Sequence, residues 1–97
     1  MRDLKQIAKV VRETLAANFD KVKIIDVRVR DETDSDGDAV LRVEVIFEGT
    51  GKDVDALKLT GAVRQVRPRL REMNENAFPL FSFISKRDWG AERLKSA

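Results

Sequence analysis

The chain contains no cysteine and no histidine. Without cysteine there is no disulfide, no thiolate nucleophile and no thiolate metal ligand. Without histidine the usual general base near neutral pH is missing, and so is the commonest zinc ligand. No apolar run reaches the roughly 18 residues that a membrane-crossing helix needs, so no membrane contact is expected. The first residues, MRDLKQIAKVVRETL, carry charges throughout and no continuous apolar stretch, so they do not read as a secretory signal. A cytoplasmic setting is the expectation.

What is present is a highly charged globular mixture. At 97 residues the chain makes one domain, 1–97, able to bury roughly 65% of its unfolded surface. Apolar residues are 42% and charged residues 37%, a balance that supports one modest core rather than disorder. Nineteen basic and seventeen acidic side chains give a net charge of +2, which argues against a generic polyanion binder. The distribution says more than the sum. Residues 1–48 hold nine basic and eleven acidic groups, and residues 49–97 hold ten and six, so the basic excess lies in the second half.

Periodicity gives the order of elements. Leu4, Ile7, Ala8, Val11 and Leu15 fall within about 100° of arc, which predicts an amphipathic helix over 3–17 with Asp3 as N-cap and Asn18 as stop. Val10 lies off that stripe. Residues 22–30 and 39–48 alternate with period two and are rich in β-branched residues, a strand signal. Strict alternation puts Ile25, Val27 and Val29 inward with Ile24 outward. It likewise puts Leu41, Val43, Val45 and Phe47 inward, with Val40 and Ile46 outward. The polar loop 31–38, with Asp36-Gly37 in its turn, joins the two strands into an antiparallel hairpin. Beyond the break at Gly49-Thr50-Gly51 a second helix begins near Asp53 or Asp55. Its stripe is Leu59, Val63, Val66, Leu70 and Met73, within about 80° of arc. Gly61 and Pro68 are expected to kink it, Pro68 with its donor-less side toward solvent. Residues 79–85 make a third strand with Phe81 and Phe83 on one face and Leu80 and Ile84 on the other. The tail 86–97 has room for one helical turn. The fold class is α+β: a two-layer sandwich, α-β-β-α-β, with the helices on one face of a three-stranded sheet.

Few residue patterns carry chemistry. Five carboxylates in 31–38 suggest the front of a calcium loop, but Val43 stands at the twelfth position, where the bidentate glutamate belongs. No metal site is expected there. Gly49-Thr50-Gly51-Lys52 lacks the first glycine of a phosphate loop, because position 46 is Ile46. No elbow motif surrounds any serine, so no catalytic residue and no cofactor are assigned and the protein is read as non-enzymatic. The one concentrated feature is basic. Residues 58–71 carry Lys58, Arg64, Arg67, Arg69 and Arg71 with no acid among them, and Arg64, Arg67 and Arg71 share about 60° of arc beside the apolar stripe. Arginine pairs bidentately with phosphate, so Lys58, Arg64, Arg67 and Arg71 form a candidate phosphate-tracking face. The alternative is a solvated face whose arginines pair with sheet glutamates such as Glu44 and Glu48. The aromatics fall mostly in the core pattern, which leaves no evident stacking platform.

The α-β-β-α-β order resembles the type II KH-like arrangement, and within it the ribosome-binding factor A family. Ala56-Leu57 followed by Thr60-Gly61-Ala62-Val63-Arg64 is similar to that family's kinked helical stretch. Pro79-Leu80-Phe81-Ser82-Phe83 is similar to its third strand. The chain departs from the family at Leu59, where the kink has alanine, and at Pro68; the GxxG loop of KH modules is absent. The resemblance implies a protein that contacts structured RNA or the ribosome, with Gly61 at the kink and Arg64 beside it. The residues leave a second reading open: a protein-interaction or self-associating accessory domain, binding a protein partner or forming a homodimer. It would use Val10, Ile24, Val40 and Ile46 as exposed apolar surface, with Trp89 either capping the core or anchoring the partner.

Overall fold

The computed structural model describes residues 3–18, 22–49 and 61–90. Helix α1 spans Leu4–Asn18, strand β1 Lys23–Thr33, strand β2 Ala39–Glu48, helix α2 Ala62–Glu72 and strand β3 Phe78–Ser85. A short helical stretch follows at 86–90. The class is α+β: α1 and α2 pack on one face of a three-stranded mixed sheet in the order β1-β2-β3. The predicted start of the second helix, with Lys58 and Leu59, lies outside the described residues.

Local chemistry sets the ends of each element. Asp3 caps α1: its carboxylate accepts the Gln6 N–H at 3.1 Å and its carbonyl accepts the Ile7 N–H. At the other end the Asn18 amide donates to the Thr14 carbonyl at 2.8 Å. Helix α2 closes in a Schellman motif. Glu75 N–H reaches the Leu70 carbonyl and Asn74 N–H the Arg71 carbonyl, with Asn74 left-handed at φ 62. The Glu75 carboxylate then accepts the Ala77 N–H at 3.0 Å, which aims the chain into β3.

Strands β1 and β2 form the expected antiparallel hairpin, and β3 lies parallel to β2 on its other side. A parallel neighbour cannot be reached by a tight turn. The chain must cross the sheet, and α2 belongs to that crossing. Leu41, Val43, Val45 and Phe47 face the helices and meet Ile7, Val11, Leu15, Val27, Ala62, Val66 and Leu70 in one core.

The core differs from strict periodicity at four places, each with a physical reason. The register of β1 shifts between Ile24 and Asp26. That bulge takes Ile25 out of the ladder and turns Ile24 inward opposite Phe47. Ile24 is therefore a core residue, not exposed surface, and Ile25 is half-buried. Val10 is buried as well, because α1 packs on both the sheet and α2 and so buries Ile7, Val10, Val11, Thr14 and Leu15, an arc of about 140°. Val40 and Ile46 do point away from the helices, yet both are buried. They sit on the central strand, Val40 between Glu32 and Phe78 and Ile46 between Asp26 and Ile84. In α2 the buried row is Ala62, Val66 and Leu70, four residues apart, while Val63 is only half-buried.

Phe47 is 6% exposed and belongs to this core. Phe47→Ala is expected to cost about 3–5 kcal/mol in urea unfolding, the range for truncating a buried phenylalanine. A loss below about 1 kcal/mol would place that face of β2 elsewhere.

Candidate nucleic-acid interface

The two helices carry seven basic side chains against two acidic ones. On α2 the arginines do not behave alike. Arg64 and Arg71 are exposed and have no ion-pair partner among the described residues. They stand seven residues apart, about 10 Å along the axis and two turns, so they project to the same side. Arg69 pairs with Glu72 at 3.6 Å. Arg67 is half-buried and its guanidinium lies over the Phe78 ring, 5.2 Å from the centroid. Phe78, one residue before the predicted third strand, had no place in the core periodicity. Only the start of the edge strand next to the end of α2 brings it to the arginines.

On the other face of the sheet the three arginines are paired. Arg28 meets Asp26 at 3.5 Å, Arg30 meets Glu44 at 3.4 Å and Glu32 at 3.8 Å, and Arg42 meets Glu32 at 3.3 Å. The Glu44 that was to neutralise α2 is thus paired with Arg30, on the far side of the sheet from the helices. Trp89, half-buried, lies over the Arg28 guanidinium at 4.7 Å. The stretch 86–90 accordingly returns across this outer face toward β1, and Trp89 packs there rather than standing free.

The positions assigned to kinking have distinct conformations. Gly61 is left-handed at φ 74 and stands as N-cap immediately before α2; the helical residues it was expected to kink away from lie outside the described residues. Pro68 lies inside α2 and is exposed, its missing donor facing solvent as expected.

The acidic loop is shorter and better built than its composition suggests. Strand β1 runs on through Asp31, Glu32 and Thr33, leaving 34–38 as the loop. Its residues are mostly exposed, but the Asp34 carboxylate accepts the backbone N–H groups of Asp36 and Asp38, both at 2.9 Å. Asp34 N–H bonds the Asp38 carbonyl at 2.9 Å, and Gly37 N–H the Asp34 carbonyl at 3.0 Å. Asp34 is thus a turn-former in an Asx-type arrangement. Among the described residues no group of three or more carboxylates is placed to hold a metal ion, and no helix is long and apolar enough to cross a membrane.

No protein-family model, curated protein or solved structure matches the chain.

Two substitutions test these local assignments. Gly61→Ala forces a Cβ into the left-handed region and is expected to lose about 1–2 kcal/mol in urea unfolding, with Gly61→Asn losing less. Equal loss for both would mean that φ is not what selects glycine there. Asp34→Ala removes the acceptor of two backbone bonds and is expected to lose about 1–2 kcal/mol, with amide shift changes confined to 34–38.

Proposed function

We propose that this protein is a non-enzymatic binding module that contacts structured RNA, free or on a ribosomal surface, through the basic side of its helical layer. The observation that carries the reading is the contrast between the two faces. Arg64 and Arg71 are exposed and unpaired among the described residues, whereas the arginines of the outer sheet face already have carboxylate partners. An unpaired arginine keeps its full fork of donors for phosphate.

Two further points support it. The order α-β-β-α-β, from which the resemblance to the ribosome-binding factor A family starts, is the order of the described elements, with Gly61 as N-cap of α2 and Arg64 on its first turn. The rival surface loses its substance, since Val10, Ile24, Val40 and Ile46 are all buried. An apolar docking face for a protein partner or a second copy would need them in solvent. The absence of imidazole and thiol supports a non-catalytic role.

Fluorescence anisotropy with a labelled RNA hairpin tests the reading. Two or three phosphate contacts predict a slope of log affinity against log salt of roughly −2 to −3 between about 50 and 200 mM. Arg64→Glu with Arg71→Glu should abolish binding without changing the Tm, because both side chains lie off the core. Binding that survives this double reversal, or none even at the lower salt, sinks the proposal.

A further inference from the structure

Phe78 is the one large apolar side chain left exposed among the described residues, at 42%. Its backbone is held on both sides. Pro79 is fully buried, and the Ala77 N–H is fixed by the Glu75 carboxylate at 3.0 Å. The ring is held too, because the Arg67 guanidinium lies over it. An exposed phenylalanine that is this well anchored is a presented surface, not a side chain loosely left out of the core.

Beside it lies a cavity of about 260 Å³ lined by Arg67, Leu70, Arg71, Glu75, Asn76 and Ala77. Its lining combines Arg71, which has no ion-pair partner among the described residues, with the exposed amide of Asn76, which can both donate and accept, and with the Glu75 carboxylate, which is engaged by the Ala77 N–H. Aromatic surface, a phosphate-pairing arginine and an amide at a cavity edge are what an unpaired nucleotide offers contacts to: a π-face, a phosphate and a base edge.

We propose that Phe78 is a stacking platform for an unpaired base of single-stranded or looped RNA, with Arg71 and Arg64 on the flanking phosphates. This rests on the reading of α2 as the RNA-contacting helix and names the substrate class within it. A duplex keeps its bases stacked on one another and offers the ring no free face, so the platform selects unpaired segments. Arg67 completes a guanidinium–ring–base stack and adds a cation–π contribution.

The test compares a fluorescein-labelled single-stranded RNA of about 12 nucleotides, within the usual site size for such modules, with a blunt duplex of the same sequence. Anisotropy is read at about 50 mM salt. Phe78→Leu keeps apolar bulk and removes the π-face. It should weaken single-strand binding on the order of 10-fold, as loss of one stacked base does, and leave duplex binding and Tm unchanged. Phe78→Trp, with a larger π-face, should bind the single strand at least as tightly as the parent. Phe78→Leu binding the single strand as the parent does, while Arg64→Glu with Arg71→Glu abolishes binding, overturns the platform and leaves the basic-helix reading standing. Equal losses on single strand and duplex reveal a structural role for the ring and also overturn it. No binding of either RNA by the parent protein brings down both.

Discussion

Burial of β2 on both faces is the constraint on which the rest depends. Leu41, Val43, Val45 and Phe47 are buried toward the helices, and Val40 and Ile46 are buried on the opposite side. A strand that buries apolar side chains on both faces is central, flanked by two neighbours, even though its outer face also carries Arg42 and Glu44. The hairpin supplies β1 on one edge. The other edge is taken by β3, parallel, and a parallel neighbour obliges the chain to cross the sheet. That crossing sets α2 beside α1 and places its arginines. The basic surface is thus a consequence of how the central strand is enclosed.

Enclosure also sorts the charges. On the outer sheet face each arginine has a carboxylate two residues along its strand or diagonally across the ladder: Arg28 meets Asp26, Arg30 meets Glu32 and Glu44, and Arg42 meets Glu32. Cross-strand neighbours at this spacing neutralise one another, although each exposed pair stabilises the fold little. The helical layer has no such complement. With only Glu13 and Glu72 on the two helices, Arg64 and Arg71 have no ion-pair partner among the described residues. A chain with a net charge of just +2 thereby acquires one basic side. Electrostatic binding follows local potential, not the sum over the chain.

Much of the candidate site was legible before the fold was known. Arg64, Arg67 and Arg71 recur at helical spacing with no acid between them, and a helix displays such residues on one side whatever it packs against. Their inequality was not legible. Arg67 is taken up by the Phe78 ring and Arg69 by Glu72, and which arginine finds which neighbour depends on where α2 ends relative to β3. Phe78 itself was invisible to periodicity. It lies outside the alternating run, and its place beside α2 comes from the Schellman turn through Asn74 and Glu75.

Sequence alone determined the element order, the hairpin, the Asp3 cap and the inward face of β2, because each rests on interactions within a few residues or on a period that burial imposes directly. Only the tertiary structure decided that Ile24 turns inward and that Val10, Val40 and Ile46 are buried. A single-residue bulge reverses every side chain on one side of it without changing composition. The width of a helix's buried arc depends on how many neighbours it has. The outer face of a central strand is covered by side chains from strands far away in sequence. Those are properties of contacts between distant segments, and no local pattern records them.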